Sequence, residues 1–161
     1  MRKLKIYLET SVISYLDQQD APERMKVTRK LWERVKAGAF NVALSDVVFE
    51  ELAKCTPKKR IILADYLTQI QYEHIEINTD MLRIANTMIG LEILNQKSYD
   101  DCRHIAAAVV NGCDAIVSWN FKHFVNHKTM QGVKAIAALE GRSDILIYTP
   151  QALLGGESDD E

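Results

Sequence analysis

The chain has 161 residues, 47% of them hydrophobic, and a formal net charge of −2. This length allows one domain with a substantial core, and the composition excludes a disordered chain. The apolar runs are too short for a membrane span, and the N-terminal apolar segment is too short for a signal peptide. Three cysteines without paired spacing predict reduced thiols in a cytoplasmic protein: Cys55, Cys102 and Cys113.

The last seven residues, GGESDDE, contain four acidic residues. We therefore predict one domain over residues 1–154 and an acidic, disordered tail over residues 155–161. Without those four acids, 18 of the 22 acidic residues remain against 20 basic ones. The body of the protein is then slightly basic, which is compatible with a polyanionic substrate but does not identify one.

Strand-like apolar runs alternate with helical segments along the chain. Strands are predicted at residues 3–8, 40–44, 72–77, 114–119 and 145–148. Helices are predicted from Thr10 or Ser11, and over residues 22–37, 46–55, 57–70, 79–94, 98–111 and 129–139. The third strand has alternating polar positions and is expected at a sheet edge. This order predicts a parallel sheet covered by helices on both faces, with a binding site beyond the carboxyl ends of its strands.

Four polar side chains stand where apolar sequence breaks: Glu9, Glu51, Asp101 and Asn120. Glu9 and Asn120 each follow a predicted strand, and the other two lie on predicted helices. Acids that face a core cost free energy unless a partner compensates their charge. A divalent cation is a suitable partner, so the pattern predicts a metal site.

The helical spacing of Glu51 distinguishes it from its neighbour Glu50. Glu51 shares a stripe with Val47 and Cys55, whereas Glu50 falls on the polar face. Glu51 is therefore expected to point inward. The alternative is a position on the rim of the stripe, from which the carboxylate reaches water.

The other three residues also have structural alternatives. Ser98 and Asp101 form an S-x-x-D pattern before an apolar helix, which is typical of a capping box. Glu9 stands near the start of a helix, where an acid is favoured by the helix dipole. Asn120 is a common residue type in turns that follow strands.

Four stretches resemble motifs of the PIN-domain family, which includes the VapC-type toxin ribonucleases. They are IYLETSV at 6–12, SDVVFEEL at 45–52, DCRHIAAA at 101–108 and IVSWNFKHF at 116–124. The resemblance implies a three-layer α/β/α sandwich with a mostly parallel sheet of four to five strands. It also implies a metal-dependent endoribonuclease that cleaves single-stranded RNA, as a homodimer restrained by an antitoxin protein.

The resemblance matches the four polar residues to motif positions, and metal-assisted hydrolysis of a phosphodiester suggests a role for each. Glu9 and Asp101 would bind Mg²⁺ or Mn²⁺, Glu51 would hold a metal-bound water, and Asn120 would contact such a water or the phosphate. Glu9 stands where the family usually has Asp, which moves the carboxylate outward by one methylene. Asn120 stands where the family often has an acid, which removes a charge. A protein that keeps the fold and only binds RNA or acts as a scaffold is the competing hypothesis.

Substrate contacts are expected on the segment around Asn120. Ser118 matches the small hydroxyl residue of the family motif, and Trp119 could stack on a base. Lys122 and His123 could follow a phosphate backbone. The alternative is a solvated charged face beside a tryptophan that packs in the core. No P-loop or glycine-rich dinucleotide loop is present in the sequence, which argues against a nucleotide-binding protein.

Overall fold

A computed structural model describes residues 2–155 as five parallel strands flanked by helices. The strands are β1 (Lys5–Leu8), β2 (Asn41–Ser45), β3 (Glu73–Ile75), β4 (Ala115–Val117) and β5 (Leu146–Tyr148), in the spatial order β3-β2-β1-β4-β5. Every adjacent pair is parallel. The predicted α/β class is confirmed, and β3 lies at a sheet edge as its alternating sequence predicted.

Eight α-helices surround this sheet within the described residues. They are α1 (Thr10–Ser14), α2 (Pro22–Lys36), α3 (Asp46–Leu52), α4 (Pro57–Thr68), α5 (Thr79–Gly90), α6 (Tyr99–Val110), α7 (His127–Leu139) and α8 (Pro150–Gly155). Right-handed crossovers put α1 to α4 on one face and α5 to α7 on the other. The packing of α5 against α6 and α7, and of α2 against α8, agrees with these three layers.

Local sequence signals account for most of the helix boundaries. The Ser45 hydroxyl accepts a hydrogen bond from the Val47 backbone N–H at 3.2 Å and caps α3 as predicted. Pro22 and Pro57 occupy the first turns of α2 and α4. Gly38 follows α2 with φ +85°, a conformation that favours glycine and ends the helix.

Helix α8 was not predicted from the sequence. The Thr149 hydroxyl accepts a hydrogen bond from the Ala152 N–H at 2.9 Å, and Pro150 starts the helix. Six residues are too few to show a helical period, so only this Thr-Pro start could have indicated it. The helix ends at Gly155, one residue beyond the predicted domain boundary. The rest of the predicted acidic tail, residues 156–161, lies outside the described residues.

The central strand β1 joins the core to the carboxyl edge of the sheet. Ile6, Tyr7 and Leu8 are fully buried. The strand order reverses at β1, which pairs with β2 on one side and β4 on the other, and such switch points form binding crevices. The Glu9 N–H donates to the Val117 carbonyl at 3.0 Å, so the residues after β1 and β4 leave the sheet together.

The helices are short compared with the apolar span that a membrane requires. None of the helices in the described part of the chain has both the length and the apolar character that a membrane span requires.

We expect Gly132→Ala to lower the free energy of unfolding. A Cβ at Gly132, inside α7, would lie 2.4 Å from Cγ2 and 3.2 Å from Cβ of Ile93. Overpacking of this kind costs about 1–3 kcal/mol, which exceeds the roughly 1 kcal/mol that alanine gains in a helix interior. Urea denaturation should show a net loss of about 1 kcal/mol.

Gly90→Ala, at the end of α5, is the matched control because, apart from its chain neighbours and the backbone of its own helix, no heavy atom of the described chain lies within 4 Å of its Cβ position. It should be neutral or stabilising. Ile93→Ala should make Gly132→Ala less costly in the double variant. A stabilising Gly132→Ala would contradict the packing argument.

Candidate metal centre

Three side chains from separate segments meet at the carboxyl edge of the sheet. Glu9 directly follows β1, Glu51 lies on α3 after β2, and His104 lies on α6. Their ligand atoms lie within 4.8 Å of one another. Glu9 and Glu51 were predicted to converge, whereas His104 was not predicted to take part.

Glu9 is held by two hydroxyl groups. Its Oε1 accepts hydrogen bonds from the Ser11 hydroxyl at 2.5 Å and from the Ser118 hydroxyl at 2.7 Å. The residue is only 5% exposed. Glu9 is the N-cap residue of α1, but its side chain makes no capping hydrogen bond. The carboxylate therefore faces the centre, while Glu9 also stands at the start of α1, as the alternative stated.

Glu51 points inward and Glu50 outward, as the helical stripe predicted. Glu51 Oε1 accepts a hydrogen bond from the Thr10 hydroxyl at 2.5 Å and lies 2.7 Å from His104 Nε2. Glu50 forms an ion pair with Arg103 at 2.8 Å on the surface. Two adjacent glutamates thus have different environments, which provides a matched pair for mutagenesis.

His104 connects the centre to the core of the sheet. Its ring is fully buried, and its Nδ1 lies 2.5 Å from the Tyr7 hydroxyl, which also contacts the Ser45 hydroxyl at 2.7 Å. Metal-binding histidines usually have such a partner on the second ring nitrogen, because it fixes the ring orientation. The sequence signal for His104 was its position three residues after Asp101, since that spacing places both on one helix face.

Asp101 contacts a histidine and not the helix start. Its Oδ2 lies 2.7 Å from His123 Nδ1. Ser98 makes no side-chain capping hydrogen bond to α6, so the capping-box alternative for Asp101 is wrong. Asp101 was predicted to be a metal ligand, but it is outside the group of three ligand atoms described above. It is close enough to influence that group through its charge.

The segment after β4 fits the substrate-binding prediction only in part. Ser118 is fully buried and donates to Glu9, so it supports the centre and is not open to a substrate. Trp119 is 5% exposed and its indole N–H donates to Thr28 Oγ1 at 2.8 Å. This buried indole offers no free face, so the expected stacking of Trp119 on a base is not supported, and its alternative role in the core is observed.

Three further residues of the predicted site are more open than Ser118 and Trp119: Asn120, Lys122 and His123. Asn120 Oδ1 accepts a hydrogen bond from the His123 N–H at 2.9 Å, which is the turn role that had been the alternative. Contact of Asn120 with a metal-bound water or a phosphate stays a prediction. Lys122 is exposed and His123 is half-buried beside Asp101, so both remain accessible to a substrate.

The environments of the centre shift three pKa values. Burial would raise the pKa of Glu51, but hydrogen bonds from His104 and Thr10 outweigh it and lower the pKa. Burial would lower the pKa of His104, but its bond to Glu51 and the nearby charges of Glu9 and Asp101 raise it. Burial raises the pKa of Asp101, aided by repulsion from Glu9 and opposed by His104 and His123. The centre thus holds an ionised Glu51, and the neighbouring Asp101 binds its proton more tightly than an ordinary aspartate does.

The donor set fits a divalent cation. Two carboxylates and one imidazole are common ligands of first-row metal ions. Glu9, Glu51 and His104 would hold such an ion, and the hydroxyls of Ser11, Thr10 and Ser118 orient the carboxylates. Glu9 directly follows β1 and Glu51 lies on the helix after β2, at the carboxyl edge where open α/β sheets bind ligands.

Comparison of the structure with solved proteins identifies the fold. No protein-family model and no curated protein matches this sequence. The VapC20 toxin of Mycobacterium tuberculosis, described as cleaving the sarcin-ricin loop, is 18% identical, with a TM-score of 0.55 over 73% of this chain and 92% of that one. VapBC2 of Rickettsia felis, bound to a promoter DNA fragment, is 11% identical, with a TM-score of 0.53 over 91% of this chain and 98% of that one. The fold of the chain is therefore that of the VapC toxins, which confirms the fold implied by the PIN-domain resemblance.

We expect the Glu51–His104 pair to stabilise the metal-free protein most strongly at mildly acidic pH. The lowered pKa of Glu51 contributes stability that is present above its ordinary value of 4.5 and is lost as the pH falls through the folded value. The raised pKa of His104 contributes stability that is present below its ordinary value of 6.5 and is lost as the pH rises through the folded value. The two contributions are therefore both complete between these ordinary values.

Urea denaturation in EDTA across this pH range measures the effect. The difference in free energy of unfolding between the wild type and Glu51→Gln should be largest between pH 4.5 and 6.5. It should shrink on either side. A difference that does not change with pH would show that the pair is not charged in the folded protein.

We also expect the centre to bind Mn²⁺ more tightly than Mg²⁺. Imidazole nitrogen is a favourable ligand for transition metals, whereas Mg²⁺ prefers an all-oxygen octahedron. Isothermal titration calorimetry should show a preference of at least about tenfold, which His104→Gln should reduce. Equal affinities for the two ions, or an unchanged ratio in His104→Gln, would remove His104 from the ligand set.

Proposed function

We propose that this chain, whose fold is that of the VapC toxins, is a metal-dependent endoribonuclease that cleaves single-stranded RNA. The observation that carries the proposal is the convergence of Glu9, Glu51 and His104 at the carboxyl edge, with Asp101 alongside. Acids buried this closely destabilise a protein unless they serve a site. The fold places the centre where α/β proteins bind ligands.

Hydrolysis of a phosphodiester needs few covalent steps from the protein. The oxygen of a water gives up one proton and forms a bond to phosphorus, the bond from phosphorus to the leaving oxygen breaks, and the proton given up by the water is balanced by the one that the leaving oxygen takes up. A Mg²⁺ or Mn²⁺ bound here supplies a lowered water pKa and neutralises charge on the phosphate. Glu9 and Glu51 provide the negative charge that holds the ion, and Thr10 and Ser11 keep their carboxylates oriented.

His123 is suited to contact the phosphate. Its Nδ1 is engaged by Asp101, so Nε2 is the ring atom that can donate a hydrogen bond to a phosphate oxygen. The side chain is one-third exposed, and the exposed Lys122 precedes it. Asp101 in this arrangement fixes the orientation of the His123 ring.

The shared fold also supports a proposal about the cellular role and the partners of the chain. We propose that the chain is the toxin of a type II toxin–antitoxin pair, acts in the cytoplasm as a homodimer and is restrained by an antitoxin protein. The support is the likeness to the VapC20 toxin and to the VapBC2 structure. The identity of the RNA target depends on surfaces outside the centre.

A second function is an RNA-binding or scaffold protein without turnover. It is favoured by one observation: Asn120 replaces a frequent acid of the family motif, and its oxygen is used in a turn. A weaker metal site would follow from that loss of charge. The two functions differ in whether the bound RNA is cleaved.

Glu51→Ala and Glu50→Ala together test the nuclease function. Glu51→Ala should reduce Mn²⁺-dependent cleavage of a single-stranded RNA by at least about 100-fold, because the site loses charge that binds the ion. Glu50→Ala removes an identical side chain one residue earlier that pairs with Arg103 on the surface. It should cleave at the wild-type rate.

Each outcome of this pair of variants is informative. RNA binding by the wild type without turnover would favour the scaffold function. Equal loss in both variants would indicate general damage to α3, and full activity of Glu51→Ala would refute the proposed centre. Addition of EDTA should abolish wild-type cleavage, and Mn²⁺ should restore it.

A further inference from the structure

We propose that Phe121 and Arg24 form a stacking platform that binds one base of the RNA beside the metal centre. The inference rests on the proposed function, because it names how the same site holds its substrate. Phe121 is 46% exposed, in contrast to the buried Trp119 two residues earlier. An isolated exposed apolar side chain needs no explanation, so the argument depends on the surroundings of Phe121.

The loop that carries Phe121 is attached to the centre at both ends. Ser118 at its start donates to Glu9 at 2.7 Å, and His123 at its end lies 2.7 Å from Asp101. Consecutive Cα atoms are about 3.8 Å apart, so the Cα of Phe121 is within roughly 8 Å of that of His123. The backbone of Phe121 is therefore close to His123, which is proposed to contact the scissile phosphate.

The conformation of this loop is defined by hydrogen bonds. The Asn126 side-chain amide donates to the Phe121 carbonyl at 3.1 Å and to the Lys122 carbonyl at 2.9 Å. The Asn120 carbonyl accepts from the Phe124 N–H at 2.9 Å. A ring on a loop with these constraints loses little conformational entropy when a base binds.

Arg24 of α2 completes the platform. Its guanidinium carbon lies 5.1 Å from the centre of the Phe121 ring and 5.2 Å from the Trp119 ring. These distances are within the range of cation–π contacts. Arg24 is itself exposed, so it combines a positive charge and a planar group beside an open aromatic ring.

A base of single-stranded RNA is the ligand that matches this surface. Unpaired bases stack on aromatic rings and on guanidinium planes, and the adjacent phosphates are attracted by cations. Arg24 against the ring and Lys122, the next residue in the chain, supply positive charge near Phe121. Duplex RNA keeps its bases stacked on one another, so the platform selects single strands.

Fluorescence anisotropy with a labelled single-stranded RNA of mixed sequence tests the platform. The Glu51→Gln background prevents cleavage during binding. Phe121→Ala in this background should weaken binding between about 5-fold and 100-fold, the range that loss of one stacked base produces. Phe121→Trp should bind like the parent, and Phe121→Leu should bind like Phe121→Ala because it keeps apolar bulk without a ring.

Tyr72→Ala is the matched control. Tyr72 is an exposed aromatic residue at 37% that precedes β3 at the amino edge of the sheet, and its ring centre lies 6.1 Å from that of Phe49 on α3. Its replacement should not change RNA affinity. In the cleavage-competent protein, the effect of Phe121→Ala should fall mainly on KM, and Mn²⁺ affinity measured by calorimetry should stay at the parent value.

The outcomes separate this inference from the proposed function. Cleavage by the wild type with no effect of Phe121→Ala, or binding by Phe121→Leu equal to that of the parent, would overturn the platform alone. Binding that depends on Phe121 without any turnover would overturn the nuclease function and keep the platform. Equal affinity for a duplex of the same sequence would also overturn the platform.

Discussion

The buried carboxylate of Glu9 and the half-buried one of Glu51 need compensation of their negative charge. This constraint organises the carboxyl edge of the sheet. The protein compensates it with short side chains that donate hydrogen bonds. Ser11 and Ser118 hold Glu9, Thr10 holds Glu51, and the imidazole of His104 joins Glu51 to the core. These donors come from segments that are distant in sequence, so the arrangement exists only once β1, β2 and β4 are paired. The sheet is thus a condition for the candidate metal site, and a bound metal ion would in turn favour the folded sheet.

The parts of this architecture that depend on local chemistry could be predicted from the sequence. Caps such as Ser45 and first-turn prolines set helix starts without help from the rest of the fold. The inward direction of Glu51 followed from a helical stripe, because three to four residues per turn decide which side chain faces the core. The position of Glu9 after a buried strand likewise predicted its place at the carboxyl edge of a parallel sheet.

The parts that depend on long-range pairing could not be predicted in the same way. Asp101 had a suitable local partner in Ser98, yet its partner in the fold is His123, 22 residues later. In the sequence, His104 is only one polar residue within an apolar helix. The tertiary structure shows that its two ring nitrogens contact Tyr7 and Glu51. The same limit explains Trp119 and Phe121. Only the fold decides that the first is covered by Thr28 and α2 while the second is open.

Because the segment 120–122 is anchored at both ends, it can be exchanged as a unit while the buried Trp119 and the carboxylates of Glu9 and Asp101 stay in place. Its first anchor is on Glu9 and its second on Asp101, so changes between them leave both carboxylates where they are. Sequence changes in this segment are thus separated from the carboxylates beside it. Grafting segments of different aromatic content between the two anchors is accordingly a practical way to alter this surface without altering the fold around it.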